Sequence, residues 1–269
     1  MDSRKRGRLR RALQLSMAAC GPTSRRIRTA LPRLHVVTDD DILARPDFSI
    51  QAERMLRLPI ALHVRGPRTN GRTVFELAEA LSAEPRPGHP TRKGRLIVND
   101  RLDIALSLPV DGVHLGARSF TAVAARELIA GVGPTRAVPR SSQAVRGSAP
   151  NGLAVGVSIR LATTESIATP DPGGRKDRDP DPPAAVDYVF AGNLFKTRSH
   201  PGRPGAGLAA ISRTAEAAKS VPVIAIGGIT PKTAADAFRA GAYGIAVVSG
   251  VWGRTDPVHA AEDYLRALP

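Results

Sequence analysis

Residues 224–250, IAIGGITPKTAADAFRAGAYGIAVVSG, decide the fold that we predict for this chain. The run Val223–Ile226 is short, apolar and rich in β-branched residues, which is typical of a buried parallel strand. Thr230 and Pro231 are an N-cap and a first-turn proline, so they predict the start of a helix. Gly244–Val248 predicts a second buried strand. The stretch therefore predicts strand, helix and strand, the unit from which parallel α/β folds are built.

Both strands of this stretch end in small residues that lead into a helix. Gly227 and Gly228 follow the first strand, and Ser249 and Gly250 follow the second. Glycines at the end of a strand let backbone N–H groups approach a phosphate, and (β/α)8 barrels often bind phosphate after their last two strands. Either pair alone is more often an ordinary turn between a strand and a helix. Two of them on consecutive strands favour a phosphate site.

Along the rest of the chain, strand patterns alternate with helical patterns. We predict strands at 34–38, 60–64, 95–98, 112–115, 153–158, 188–192, 223–226 and 244–248. We predict helices near 48–56, 74–83, 102–106, 121–129, 163–168, 208–219, 230–241 and 258–268. The length of 269 residues is close to the typical ~250, so 33–269 is predicted to form a single (β/α)8 TIM barrel of parallel strands. No Gly-x-Gly-x-x-Gly fingerprint follows the first strand, which disfavours an open doubly wound dinucleotide fold.

Three segments are predicted to lie outside the regular barrel. Residues 1–32 carry nine basic residues and one acidic residue, so they hold +8 of the formal net charge of +15. They are predicted to be a disordered basic extension, with a nucleic-acid arm, an organelle presequence or a poorly defined translation start as alternatives. Residues 131–152 and 169–184 are rich in proline, glycine and polar or charged residues, which is typical of loop inserts.

Composition narrows the class of function. Only 4% of residues are aromatic, which argues against stacking on single-stranded nucleic acid, so no specific nucleic-acid partner is expected. Cys20 is the only cysteine, which excludes an intrachain disulfide and a thiolate metal cluster. No apolar run of about 18 residues is present, so no membrane partner is expected. A cytoplasmic location is the expectation, homo-oligomerisation is left open, and the remaining charge of +7 suits anionic substrates.

Polar residues follow most of the predicted strands, where barrel active sites lie. The candidates are Asp39, Asp40, His63, Arg65, Asn99, Asp100, His114, Ser158, Arg160, residues 193–200, Gly227, Gly228 and Ser249. Asn99 and Asp100 are also typical helix caps, and His114 is equally well explained as a structural histidine. His63 alternates with apolar neighbours and should point into the barrel, either as a site residue or as part of a polar core. Arg65 offers a bidentate fork to a phosphate or a carboxylate.

Seven motifs, taken together, identify a family. They are LHVVTDDD, IALHVRG, RLIVNDRLDIAL, DGVHLGARSF, AVGVSIR, DYVFAGNLFKT and PVIAIGGITPKTAADAFRAGAYGIAVVSG, in this order from residue 34 to about 252. The set resembles the thiamine phosphate synthase/thiazole tautomerase (TenI-like) family, known for a (β/α)8 barrel that handles phosphorylated thiazole in thiamine biosynthesis. The ligand residues that the resemblance implies are Gly227, Gly228, Val248 and Ser249 for the phosphate, and Asn99, Ser158 and Thr197 for the rest of the substrate.

The resemblance to the synthases is incomplete at the pyrophosphate end of the site. Their Gln-x-Arg-x-Lys pattern on strand two is HVRGP at 63–67, so the arginine is kept while the glutamine and the lysine are replaced. The Asn-Asp pair is kept, which makes Asp100 the implied magnesium ligand. The second magnesium aspartate aligns with Ser119, and the pyrophosphate lysine aligns with His200. Mg²⁺ is therefore expected only if synthase activity is retained.

The tautomerase branch is the closer match. It shares LHVVTDD on strand one, the pattern of His63 and Arg65 on strand two, and the Ser-Phe that follows strand four. That branch is known for a histidine after strand five, where this chain has Arg160, and an arginine stays protonated and cannot act as the base. The catalytic residues implied are His63, Arg65, Arg160 and His200. The chain is predicted to be a tautomerase-like enzyme that binds thiazole phosphate. The alternatives are a divergent synthase joining pyrimidine pyrophosphate to thiazole phosphate, or a non-catalytic thiazole- or thiamine-phosphate-binding protein.

Overall fold

The computed structural model describes residues 31–83, 91–116, 119, 121–132, 160–165, 186–196, 205–218 and 221–269. The predicted basic extension lies outside the described residues apart from its last two positions. The predicted inserts lie outside them too, except for residues 131 and 132, which end a helix. Residues 32–269 form one compact unit. Among the described residues, no helix is both long and apolar enough to cross a membrane.

Eight parallel strands form a closed barrel in chain order, because β1 pairs with both β2 and β8. The strands are β1 Leu34–Val37, β2 Ile60–Val64, β3 Arg95–Asn99, β4 Gly112–Leu115, β5 Arg160–Glu165, β6 Tyr188–Ala191, β7 Val223–Ile226 and β8 Gly244–Val247. The helices are α1 Asp40–Leu43, α2 Phe48–Met55, α3 Gly71–Ser82, α4 Leu102–Ser107, α5 Ala122–Val132, α6 Ala209–Ala218, α7 Pro231–Arg239, α8 Ser249–Trp252 and α9 Pro257–Ala267. The predicted TIM barrel is confirmed, and the single-turn helices α1 and α8 are additions to it.

Helix starts follow the capping residues of the sequence. The Thr230 hydroxyl accepts the N–H of Thr233 at 3.3 Å, within a capping box at the start of α7. The Asn70 side chain accepts the N–H of Thr73 at 2.9 Å at the start of α3. Each cap satisfies an N–H that the first turn of a helix leaves without a partner, typically worth about 1 kcal/mol. The caps fix where the preceding loops end, at the carboxyl edge of the sheet.

Alternation along the strands divides their side chains between two cores. One phase packs against the helices: Leu34, Val36, Ile60, Leu62, Val64, Leu96, Val98, Val113, Leu115, Val189, Ala191, Val223, Ala225, Ile245 and Val247. The opposite phase fills the barrel interior, with His35, Val37, Ala61, His63, Ile97, Asn99, His114, Tyr188, Phe190, Ile224 and Ala246, all of them buried. Branched aliphatic side chains usually dominate this interior. Here three histidines and two aromatic rings take their place.

Strand five differs from the prediction. The predicted strand at 153–158 lies outside the described residues, and β5 runs over 160–165, where the sequence pattern predicts a helix from 163 onward. β-branched Thr163 pairs with Leu115 on β4 and with Val189 on β6, and pairing on both sides overrides a weak helical pattern. Arg160 pairs with Gly112, the first residue of β4. The backbone of Arg160 therefore lies at the amino end of the barrel, and not after the carboxyl end of strand five as predicted.

Candidate functional site

Most of the predicted site residues meet at one edge of the barrel. All strands are parallel, so the residues that end them, or directly follow them, lie together at the carboxyl edge, which we call the mouth. The predicted residues placed there are Arg65, Asn99, Asp100, Gly227, Gly228, Val248 and Ser249. Ser119 joins them through a hydrogen bond to Asp100. Ser158, Thr197 and His200 lie outside the described residues, so their roles stay predictions.

Below the mouth, a chain of hydrogen bonds climbs the barrel interior. His35 Nε2 lies 3.0 Å from the carbonyl oxygen of Pro32, and His35 Nδ1 lies 2.9 Å from His63 Nε2. His63 Nδ1 lies 3.3 Å from Asn99 Oδ1. His63 pairs with Val37, two residues after His35, and with Ile97, two residues before Asn99. His63 therefore lies one layer nearer the mouth than His35, and Asn99 lies one layer nearer than His63. We call Pro32, His35, His63 and Asn99 the histidine column.

The rings around the column exclude water from it. His35 and His63 are fully buried, and the Phe190 ring lies 5.6 and 5.4 Å from their ring centroids. The His114 ring packs edge-on against His63 at 5.5 Å and against Phe190 at 4.4 Å. Burial lowers the pKa of His35 and His63 well below the ordinary value, and neighbouring histidines lower it further. The column is therefore neutral near pH 7.

The placement of His63 changes how it can act. Both of its ring nitrogens are engaged within the column, and the side chain is completely buried one layer below Asn99. Of the two alternatives that the sequence leaves open, a polar core describes this position, and His63 faces the mouth through Asn99. His114 is likewise buried, as a structural histidine would be. A direct catalytic role for His63 stays a prediction.

Arg65 is the cation that the structure places beside the column at the mouth. Its backbone N–H donates to Thr38 Oγ1 at 2.8 Å, and its carbonyl accepts the Thr38 hydroxyl at 2.9 Å, so the end of β2 is held rigidly. Its positive charge contributes to lowering the pKa of His114, after burial and the neighbouring His35. In the part of the chain that the structure describes, no carboxylate lies within ion-pair distance of Arg65. The guanidinium can therefore receive an anionic ligand.

Asp40 holds the loop that follows Arg65. Its Oδ1 accepts the N–H groups of Arg68 and Thr69, both at 2.8 Å, and the Thr69 hydroxyl at 2.9 Å. Partial desolvation opposes ionisation of this carboxyl, but the hydrogen bonds from Arg68 and Thr69 outweigh it and hold the pKa below its ordinary value. The Asp40 carboxylate thus fixes the loop that begins at Gly66 and contains Pro67, which stands where the synthase pattern has a lysine.

Replacing Asp40 by alanine should loosen this loop. Asp40→Ala removes three hydrogen bonds to one oxygen, and we expect it to lower the free energy of unfolding by about 1–3 kcal/mol. Asp41→Ala is the matched control, because the Asp41 side chain is 94% exposed and reaches Arg68 only at 4.0 Å. Urea unfolding of the two variants measures the difference. Equal stability of Asp40→Ala and Asp41→Ala would contradict this role for Asp40.

Asp100 closes the turn after β4. It has a φ of 63°, a left-handed conformation that is uncommon for a residue other than glycine. Its N–H donates to the carbonyl of His114 at 2.8 Å, and its Oδ1 accepts the N–H of Gly116 at 2.9 Å. The Ser119 hydroxyl donates to the same oxygen. The residue that replaces the second magnesium aspartate is therefore bonded to the first.

At the position of the magnesium site that the synthase pattern implies, the structure places Asp100 and Ser119. Asp100 Oδ1 already accepts two hydrogen bonds, and Ser119 supplies a hydroxyl in place of a carboxylate. No group of three or more His, Cys, Asp or Glu residues suited to a metal ion occurs among the described residues. Mg²⁺ is usually held by one or two carboxylates together with substrate phosphates. Asp100 supplies one partly engaged carboxylate for that task.

The glycine turns lie on adjacent strands, as the phosphate prediction requires. β7 pairs with β8, and the turns follow their carboxyl ends. Gly227 has a φ of 109° and Gly228 a φ of 68°, both positive. The N–H of Leu194 donates to the carbonyl of Ile226, and that of Phe195 donates to the carbonyl of Gly227, both at 3.0 Å. The loop after β6 is thereby locked onto the glycine turn.

His35 is not among the site residues predicted from the sequence, and Asp40 is among them without a predicted contact. His35 shares the alternation phase of Val37 and so faces the interior, a signal that was available in the strand pattern. Asp40 is among the predicted polar residues, but its contact with Thr69, 29 positions away, has no signature in the sequence. His35 contacts His63, and Asp40 accepts hydrogen bonds from the loop after β2.

Comparisons with known proteins identify the family of this chain. The profile of the thiamine monophosphate synthase family matches residues 34–168 and 179–251. A thiamine-phosphate synthase of Roseiflexus castenholzii is 36% identical over 199 residues, which cover 73% of this chain and 70% of the relative. That of Salinispora arenicola is 32% identical over 244 residues, or 89% of this chain and 99% of the relative.

A solved structure shows the same fold. Thiamine phosphate pyrophosphorylase from Pyrococcus furiosus superposes with a TM-score of 0.57 at 22% identity, and the match covers 88% of this chain and 95% of that one. The barrel, the ordered motifs and the extent of the sequence match lead to one assignment. This chain belongs to the thiamine monophosphate synthase family.

Proposed function

We propose that this chain binds thiazole phosphate and acts as a tautomerase-like enzyme of thiamine biosynthesis, not as a full thiamine phosphate synthase. The turn built by Asp100 carries the proposal. A synthase has to hold a pyrophosphate with magnesium and stabilise its departure, whereas here Asp100 accepts hydrogen bonds from Gly116 and Ser119. The loss of the second aspartate and of two cations in the pattern weakens the pyrophosphate half of the site.

The other half of the site supports a ligand with a phosphate and a second anionic group. Gly227 and Gly228 follow β7, and Ser249 follows β8, at the place where barrels hold phosphate. Arg65 lies at the end of β2 without a carboxylate partner among the described residues. A thiazole carboxylate phosphate has two anionic groups, one for the glycine turns and one for the guanidinium. A tautomerase needs only such binding and a group that moves a proton.

Two groups are candidates for moving that proton. The Asp100 carboxylate lies at the mouth and is exposed, with one oxygen bonded to the turn. His200 is the other candidate, implied by the resemblance, and it lies outside the described residues. His63 is enclosed by its own hydrogen bonds, so we assign it to positioning. A general base of this kind typically contributes ~10²–10⁴ in rate.

The activity test uses the purified full chain with two substrate sets. One is a thiazole carboxylate phosphate tautomer, and the other is thiazole phosphate with pyrimidine pyrophosphate and Mg²⁺. We expect interconversion of the tautomers, which falls ~10²–10⁴-fold in Asp100→Asn or in His200→Gln, whichever carries the proton. Binding of thiazole phosphate without conversion of either set would overturn the proposal in favour of a binding protein.

A divergent synthase is the second candidate. The relatives that share 32% and 36% identity with this chain are named thiamine-phosphate synthases, which favours it. Formation of thiamine phosphate that depends on Mg²⁺ and disappears in Asp100→Ala would establish this reading and overturn the first.

Replacing Arg65 tests the anion site. Arg65→Met should weaken binding of the thiazole carboxylate phosphate by ~10–100-fold, because charge-assisted hydrogen bonds contribute about 1.5–3 kcal/mol. Arg68→Met on the same loop is the matched control, since its side chain is 80% exposed and already pairs with Asp40. Isothermal titration calorimetry gives both dissociation constants. Equal affinities for the two variants would remove Arg65 from the ligand site.

A further inference from the structure

The hydrogen bonds of the histidine column all run in one direction, from donor to acceptor. The backbone carbonyl of Pro32 sets that direction. The carbonyl oxygen of Pro32 can only accept, so the 3.0 Å contact requires His35 to carry its proton on Nε2. A neutral imidazole has one N–H, which leaves His35 Nδ1 as an acceptor. The 2.9 Å contact between His35 Nδ1 and His63 Nε2 is then a hydrogen bond donated by His63. The carbonyl of Pro32 therefore fixes the tautomer of His35, and His35 in turn fixes the tautomer of His63.

The same reasoning extends to the amide of Asn99. Once His63 Nε2 donates, His63 Nδ1 carries a lone pair and needs a donor. The Asn99 amide lies 3.3 Å from that nitrogen, and of its two ends only the NH₂ can donate. The two ends have nearly the same shape, so the hydrogen-bond network decides which end faces His63. The carbonyl oxygen of Asn99 must therefore lie on the side away from His63.

That side faces the mouth. His63 is level with Ile97, so Asn99, two residues further along β3, lies one layer nearer the carboxyl edge. Asn99 ends β3 and is 9% exposed, while His63 is 0% exposed. The amide of Asn99 thus separates the two buried histidines of the column from the ligand space.

If both ring nitrogens of His63 carried a proton, His63 would donate to Asn99 as well as to His35, and the single direction of the hydrogen bonds would be lost. The surroundings of His63 oppose the positive charge that this would require. His35, His114 and Arg65 are the titratable groups near it, and among the described residues no carboxylate touches its ring. Burial, and after it the neighbouring His114, lower its pKa well below the ordinary value and outweigh the hydrogen bond with Asn99, which raises it. The His63 ring therefore stays neutral, and every hydrogen bond between Asn99 and Pro32 is donated towards Pro32.

We propose that His35 is a positioning residue which, through His63, turns the Asn99 carbonyl oxygen towards the mouth, where it presents a hydrogen-bond acceptor to the ligand space. An N–H or O–H fits this position, whereas a carboxylate or phosphate oxygen is repelled by it. The anionic groups of the ligand are thereby directed to Arg65 and to the glycine turns. The identity of the ligand rests on the proposed function, but the direction of the column does not.

The direct test is nitrogen NMR of the histidine rings in the ligand-free full chain at pH 7, with His35→Gln and His63→Gln used for assignment. Ring ¹⁵N shifts and their couplings to carbon-bound protons distinguish the two tautomers and the imidazolium. We expect both His35 and His63 to be Nε2–H tautomers. A His63 ring protonated on Nδ1, alone or together with Nε2, would overturn the proposal. Because no ligand is added, failure of thiazole phosphate to bind would affect the proposed function only.

A pair of variants separates positioning from a purely structural role. His35→Gln keeps a donor for Pro32 and an acceptor for His63, so His63 should remain the Nε2–H tautomer. His35→Leu removes the acceptor, so the Nδ1–H tautomer of His63 should become populated and Asn99 should turn. The side-chain amide signals of Asn99 should therefore shift in His35→Leu and stay unchanged in His35→Gln. An unchanged His63 tautomer in a folded His35→Leu would refute the role of His35.

Discussion

Lowering the pH from 7.5 to 5.0 is expected to destabilise this barrel by at least about 2 kcal/mol, because His114 is held in its neutral form. Burial lowers the pKa of His114 to about 3, and the nearby His35 and the positive Arg65 act in the same direction. In the unfolded chain a histidine titrates near ~6.5. Below that pH the unfolded state binds a proton that the folded state does not, so stability falls as the pH falls. Continued to pH 3, His114 alone would remove about 4 kcal/mol.

The other two interior histidines add to this loss. The pKa values of His35 and His63 are lowered mainly by burial, so both also favour the folded state only while they are neutral. Urea unfolding at pH 7.5, 6.5, 5.5 and 5.0 measures the slope. His114→Gln should reduce that slope by the contribution of one proton. His259→Gln, which alters a side chain that is 65% exposed, is the control for replacing a histidine at the surface. A free energy of unfolding that stays constant over this range would contradict the neutral interior.

The fold was largely predictable because it depends on local patterns. Short apolar runs and capping residues such as Thr230 mark the starts and ends of elements, and parallel topology then brings the polar residues at the strand ends together. Strand five was not predictable, because the pattern around Thr163 is weak and its pairing with Leu115 and Val189 decides the outcome. Arg160 was misplaced as a consequence.

The sequence predicts which residues lie at the candidate site, but it does not predict which of them contact each other. The alternation of His63 shows that it points inward, but its partners His35 and Asn99 lie 28 and 36 residues away. Nothing local states that the Ser119 hydroxyl bonds to Asp100, although the replacement of an aspartate by serine is visible in the sequence. Hydrogen bonds between strands depend on register, and register is a property of the closed barrel.

Gly227→Ala is expected to be among the most damaging single substitutions at the mouth. The φ of 109° lies where an L-residue is rarely found, which costs roughly 1–3 kcal/mol. A Cβ on Gly227 would also overlap Asn193 Oδ1 and lie 2.8 Å from the N–H nitrogen of Leu194. That segment cannot withdraw freely, because Leu194 is 1% exposed and donates its N–H to the Ile226 carbonyl.

Gly207→Ala is the control that separates backbone strain from this overlap. Gly207 has a φ of 70° and its N–H donates to the carbonyl of Leu194, yet a Cβ there would meet nothing within 4 Å. It should cost only the left-handed strain of about 1–2 kcal/mol. Gly227→Ala should cost about 3 kcal/mol or more, because relieving the overlap displaces the loop that is locked to the glycine turn. Thermal unfolding gives both values, and thiazole phosphate affinity should fall at least ~10-fold only in Gly227→Ala. Equal losses of stability in the two variants would mean that the loop after β6 moves aside freely, and the turn could not then be the rigid support that a phosphate site requires.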